Sequence, residues 1–281
     1  MLLKPFQWSL LTLLISEVLV VLVAMRQLLF IEDENIALPE VSAGMPLAYF
    51  FVAVIVIGVA LVFLPLPVLK FITKTLFLVL YAWGVFVVLA LPLPVAAAVI
   101  IAVAGALAWL RWPRLWLHNL LLGVALVGYA SVFGFLLSSG VALWLMAVIS
   151  VYDLVSVRSG HMMWMVNKMT GMDIVPAFIF PVEPSGWRLS VTDIRLDKPD
   201  ERPVSLLGGG DVGFSLIVLV SVLAAGGLAA AVIMSFCLLG GLVSVYWVQK
   251  MLFKGGPTPA LPPLTVAALI GYGLLIWFSV I

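Results

Sequence analysis

The sequence predicts an all-α, polytopic membrane protein of nine transmembrane helices, with a cytoplasmic N-terminus and an outside C-terminus. Three observations carry this. Hydrophobic residues make up 65% of the 281 positions and charged residues only 10%, with a mean hydropathy of +1.29, whereas soluble domains carry roughly 25% charged residues. The apolar runs have the length of a bilayer crossing, about 20 residues. The basic residues fall on one alternating set of connections, as cytoplasmic retention of Lys and Arg requires.

Cutting the chain at Pro, Gly and charge clusters places helices near 8–30, 46–64, 71–91, 94–110, 115–137, 140–157, 207–226, 228–249 and 261–281. The run from Trp8 to Phe30 is too long for a signal-peptide core and is read as a retained first helix. Residues 75–110 hold no charge and as one helix would reach about 54 Å, nearly twice the hydrocarbon thickness. The break is assigned to "LPLP" at Leu91–Pro94. Residues 204–249 carry Asp211 as their only formal charge and are likewise too long, with Gly226-Gly227 offering the turn.

With the N-terminus inside, the inner segments hold every basic residue except Arg26. The first outer loop is acidic, with Glu32, Asp33, Glu34 and Glu40. The chain then divides into a six-helix portion (1–158), a cytoplasmic loop (159–204) and a three-helix portion (205–281). The loop reads as solvated, with a short amphipathic stretch at "HMMWMVNKM". No internal repeat is evident, which weighs against inverted-repeat transporter architectures.

A net charge of +1 gives no reason to expect a nucleic-acid partner or a polybasic grip on headgroups. Cys237 is the single cysteine, so an intramolecular disulfide and a thiolate zinc site are both excluded. The two histidines, His118 and His161, fall in separate inner segments without a His-Glu-x-x-His pattern. Ser131 has no histidine at comparable depth and reads as a packing serine.

Ionisable side chains inside a bilayer are costly and mark function by default. Three are present: Glu17, Asp153 and Asp211. Asp153 lies 13 residues past Gly140 on an inward-running helix, about 20 Å below the outer surface. Asp211 opens the next, outward-running helix, so the two carboxyls reach similar depth. Facing each other, they would hold one proton between them. The ionised member would take a proton from water while the protonated member donates to a scissile carbonyl, giving peptide hydrolysis without a covalent intermediate. The same acids would also serve a cation or proton channel or carrier. Glu17 is compatible with the same cavity or with a neighbouring helix.

The stretch "LLGGGDVGFS" from Leu206 to Ser215 shifts the balance toward proteolysis. Gly208, Gly209 and Gly210 allow irregular, closely approached backbone before Asp211. Such backbone offers hydrogen-bond partners to an unwound substrate in the manner of strand addition. "PTPALPP", Pro257 to Pro263, precedes the last helix on the same face and leaves its first backbone groups unpaired.

On Tyr152-Asp153, Gly208-Gly209-Gly210-Asp211 and Pro259-Ala260-Leu261, in this order at these helix ends, the chain resembles the presenilin and signal peptide peptidase family of intramembrane aspartyl proteases, closest to an archaeal presenilin homologue. The resemblance implies a presenilin-like bundle in the cell membrane and a catalytic pair in Asp153 and Asp211. It implies that Pro259, Ala260 and Leu261 shape the site and receive substrate, and that the glycines support the active conformation. Tyr152 is placed beside the dyad. The resemblance further implies no metal or organic cofactor, transmembrane protein substrates entering with outside N-termini, and no obligatory subunits, leaving room for a homo-oligomer. Gly209 stands where the family often has a larger apolar residue. Autocatalytic cutting of the 159–203 loop, as in animal presenilins, is left open.

Overall fold

The computed structural model describes residues 3–37, 41, 44–160, 174–194, 204–251 and 258–281. Eight helices dominate: α1 (Leu3–Asp33), α2 (Gly44–Phe63), α3 (Leu66–Leu89), α4 (Val95–Arg111), α5 (Leu115–Leu136), α6 (Ser139–Arg158), α7 (Gly209–Met251) and α8 (Leu261–Trp277). Six of them are long and apolar enough to cross a membrane, and α4 and α8 are shorter apolar helices of 17 residues. Leu, Ile, Val and Phe cover their outward faces, as lipid contact requires. Prolines punctuate the joins. Pro65 and Pro94 sit at the N-caps of α3 and α4, where a missing N–H costs nothing.

At 43 residues α7 is about 65 Å long, twice a hydrocarbon core. It is two helices across a kink at Gly227, whose φ of 70° and ψ of −167° are non-helical. A positive φ of this kind suits glycine and few other residues. The break falls within the Gly226-Gly227 turn expected from the sequence. Beyond it the second arm, 228–251, runs antiparallel to both α1 and α8. Phe6 packs against Tyr246 with ring centroids 4.9 Å apart and Glu17 bonds Ser235, while Gly241 lies against Leu264 and Gly271 against Met234 and Cys237.

The centre of the bundle is α5, which packs against α1, α3, the first arm of α7 and a strand. Small residues permit these crossings, as in other membrane bundles. A Cβ on Gly84 would sit 2.6 Å from the Ala125 backbone, and one on Gly134 would collide with Val220. Gly128 meets the backbone of Gly84 itself. Gly128→Ala should therefore destabilise the fold by about 1–3 kcal/mol, the usual range for overpacking, read as a lowered melting temperature in detergent.

Three features depart from the sequence expectation. The fold is mainly helical rather than all-α: β1 (Ala177–Pro181) and β2 (Val204–Gly208) form an antiparallel pair. The 159–204 segment is consequently more than a wet loop. Its described part, 174–194, folds onto the start of α5, with Val191 N–H donating to Pro113 O and Leu115 N–H to Leu189 O. All five residues of β1 are buried, because Phe178, Ile179 and Phe180 have enough apolar area to leave water. The "HMMWMVNKM" stretch lies outside the described residues. Third, residues 207 and 208, expected to open the seventh helix, belong to β2, and α7 starts at Gly209.

Some aromatic residues form an interior cluster. Tyr81 and Trp109 are buried and meet edge to face at 5.1 Å, with Phe77 and His118 beside them.

Candidate functional site

The C-terminal end of α6 presents the first acid. Ser138 caps this helix by accepting from Val141 N–H, and Asp153 follows in the last turns. Its carboxylate accepts a hydrogen bond from the backbone N–H of Leu261, while Oδ2 is buried without a hydrogen-bond partner among the described residues. The sequence of α8 explains the donor. A helix start leaves its first N–H groups free, yet Pro262 and Pro263 have none to give. Leu261, at the first helical position, keeps the amide that reaches Asp153. Pro259 and Leu261 are buried and Ala260 is half-buried at this junction.

Asp211 is the third residue of α7. Its carboxylate accepts from the N–H of Gly208, three residues earlier at the end of β2. The glycines differ in what they permit. A Cβ on Gly208 would lie 2.5 Å from Asp211 Oδ2, one on Gly209 would lie 3.0 Å from Pro176 O, and one on Gly210 would meet nothing within 4 Å. Gly208 thus makes room for the carboxylate and Gly209 for β1. Gly210 stays exposed on the site wall. A larger residue at Gly209, as the resemblance leads one to expect, would need β1 to shift by a few tenths of an ångström.

Both acids line one cavity of about 260 Å³, together with Tyr152, Gly210, Phe214, Leu261 and a wall of α2 that includes Phe50 and Gly58. The two carboxyls are near enough to interact electrostatically. The remaining walls are mostly apolar, so the acids are the chemically reactive groups of the cavity. Pro259 and Ala260 are not among its lining residues, and Leu261 represents that motif there. Tyr152 sits edge-on to Phe50 at 6.0 Å and makes no hydrogen bond to either acid among the described residues.

The strand pair does not line this cavity, but β2 ends at Gly208 beside the Asp211 carboxylate, and its register determines which backbone groups are free. Gly209 N–H donates to Pro176 O. In an antiparallel ladder hydrogen-bonded pairs alternate, so Phe178↔Leu207 and Phe180↔Ser205 are the inward-bonded pairs. Leu206 and Gly208 then turn their N–H and C=O groups away from β1. Gly208 spends its N–H on Asp211. The outer edge of β2 at Leu206 therefore offers backbone partners beside the cavity.

Glu17 belongs elsewhere. It is 1% exposed between α1 and the second arm of α7, with Oε2 accepting from Ser235 Oγ at 2.5 Å, and it does not line the cavity. Glu17→Gln should leave kcat/KM for a cleaved peptide within about threefold, under ~1 kcal/mol in barrier. Ser131 is buried and donates to Gly128 O at 2.9 Å within its own helix. His118 is in α5, within the helix expected at 115–137, and is fully buried.

The sequence reading missed β1, β2, Asn119 and the α2 wall. "PAFIFP" carried a usable signal, a short β-branched and aromatic run bounded by prolines. For α2 no such signal exists, because its cavity-facing side is as apolar as its lipid-facing side.

Comparison with known proteins agrees with the fold. Two solved structures of a presenilin family intramembrane aspartate protease share the fold. The one in the C222 space group has a TM-score of 0.62 at 21% identity, covering 96% of this chain and 98% of the other. The one in the P2 space group has a TM-score of 0.56 at 22% identity, covering 93% and 95%. Among curated proteins no match is found. The family described as signal-peptide peptidase, presenilin aspartyl protease matches residues 10–281. The chain belongs to that family of membrane-embedded aspartyl proteases.

Proposed function

We propose that the protein cuts transmembrane segments of single-pass membrane proteins within the bilayer, with Asp153 and Asp211 as the catalytic pair. The observation that supports this most is the shared cavity: two carboxyls from different helices meet in an otherwise apolar chamber beside an open strand edge. A helical substrate hides its peptide groups, and unwinding into an extended segment exposes them. The outer edge of β2 at Leu206 can hold such a segment in register, with its scissile carbonyl carried toward the acids.

The chemistry follows from one proton shared between two carboxyls. The ionised member accepts a proton from water as the water oxygen bonds to the carbonyl carbon. The protonated member donates to the carbonyl oxygen. The resulting gem-diol collapses as the protonated carboxyl gives its proton to the amide nitrogen, the C–N bond breaks and one hydroxyl passes its proton to the ionised carboxyl, which leaves an acid, an amine and a pair again holding one proton. Both protonation states are required, so activity should fall on the acid side, where the base is lost, and on the alkaline side, where the acid is lost.

The topology we infer has nine crossings, counting the two arms of α7, with the N-terminus cytoplasmic and the C-terminus outside in the cell membrane. The contacts support it. Phe6 at the start of α1, Tyr246 near the end of α7, Trp187, and Arg114 before α5 gather at one end of the bundle. That end collects the basic connections. Substrates then enter with outside N-termini, and the cut falls near the cytoplasmic face.

Incubating the detergent-purified protein with a transmembrane peptide across pH, and sequencing the fragments, tests this. Two fragments joined at one bond within the apolar segment are expected, with a bell-shaped pH profile. Ion flux in proteoliposomes without peptide cleavage at any pH would replace the protease by a cation or proton path.

A further inference from the structure

The most polar contact between α5 and the catalytic half of the molecule lies outside the cavity. Asn119, on a helix face next to lipid-exposed Leu120, grips one residue of β1 twice. Its Nδ2 donates to Ile179 O at 2.8 Å, and its Oδ1 accepts from Ile179 N–H at 3.0 Å. One residue earlier His118 makes a second attachment. Its Nε2 is 3.0 Å from Ala177 O, and a carbonyl only accepts, so Nε2 carries the proton. The other ring nitrogen, Nδ1, then accepts from the Tyr81 hydroxyl at 2.9 Å.

The ladder parity makes these attachments specific. Ala177 and Ile179 turn their backbone groups away from β2, which is why α5 can reach them. Two neighbouring side chains of α5 thus take the outer edge of β1, while β2 keeps its own outer edge open. From there the constraint passes along hydrogen bonds alone: Asn119 and His118 to β1, β1 to β2, and Gly208 N–H to the carboxylate of Asp211.

We propose that Asn119, assisted by His118, is a positioning residue that sets the registration of the β1–β2 pair against α5, and thereby fixes both the Asp211 carboxylate and the bond presented for cleavage. This rests on the protease reading above. An amide buries less apolar area than leucine would at this position. Its presence on this helix face is accounted for by the paired donor and acceptor it supplies to Ile179, which is fully buried.

The test uses the full-length purified chain with Asn119→Leu, which keeps the branching at Cγ but has no polar atoms. Steady-state kinetics on the transmembrane peptide, fragment masses and hydrogen exchange of residues 204–211 are measured together. The expected result is a kcat lowered about tenfold or more, since small misplacements of reacting groups cost this much, with KM changed by less than about threefold. Cleavage should spread from one bond to its neighbours, which a loss of folded protein would not cause. Exchange at 204–211 should quicken. A folded variant with wild-type kcat and the wild-type fragment pattern overturns the proposal. If Asn119→Leu does not fold, Tyr81→Phe, which frees the His118 ring without touching β1, is decisive: a kcat about threefold lower with the same spreading supports it, and unchanged fragments overturn it. Should the wild type cut no peptide, the protease reading fails by itself, and unaltered exchange in Asn119→Leu would separately remove the clip.

Discussion

Asp153→Asn and Asp211→Asn should each lower cleavage of a transmembrane peptide by at least about 10³-fold, the loss expected when one member of a pair that acts together is removed. The substitution is isosteric, and the structural contacts survive it. An asparagine oxygen at 153 still accepts from Leu261 N–H, and one at 211 still accepts from Gly208 N–H. What is lost is the ability to take or give a proton. Melting temperature in detergent should therefore stay close to the wild type while turnover disappears. Turnover above about 1% in either folded variant would remove that aspartate from the chemistry.

Gly208→Ala should have the second largest effect. The added methyl would lie 2.5 Å from Asp211 Oδ2 and 3.2 Å from its Cγ, so the carboxylate must swing out of its place. Backbone strain does not enter, since Gly208 lies in a strand and has no positive φ. The loss in kcat is expected near 10²-fold, the order that a displacement of about 1 Å produces at a reacting group. Gly210→Ala is the informative contrast. Its methyl meets nothing within 4 Å, so it should retain activity within about fivefold, under ~1 kcal/mol of barrier. Equal losses in the two variants, measured as kcat on one peptide, would mean that glycine matters here for flexibility rather than for the space beside Asp211.

This contrast also shows how far the sequence could be read. Three consecutive glycines before an acid identify an unusual backbone, but they look alike in a string of letters. Only the packing separates them: Gly208 faces the carboxylate, Gly209 faces Pro176, and Gly210 faces the cavity. "PALPP" is similar. Proline chemistry says that amides are missing, and the fold says that the one remaining, on Leu261, is directed at Asp153.

Helix positions were legible because lipid contact imposes a one-dimensional rule, a run of apolar residues of bilayer length. Breaks inside charge-free runs were legible because Pro and Gly disrupt helices locally; the Gly227 kink and the Leu89–Val95 gap follow from this. The β1–β2 pair was not, because 22 residues separate Pro181 from Val204 in the chain. Pairing between distant short strands depends on what each can bury, and here α5 supplies both the apolar bed and the polar clip of His118 and Asn119.

By itself the sequence determined that the chain is a helical membrane protein, roughly where its helices begin and end, and which acids lie at membrane depth. Hydropathy and the cost of burying charge are properties of single residues and of short runs. The tertiary structure alone decided that Asp153 and Asp211 share a cavity, that Glu17 does not join them, and that a strand pair stands beside the acids. Those facts depend on the directions in which side chains and backbone groups of remote segments face, and direction is settled only when the helices pack.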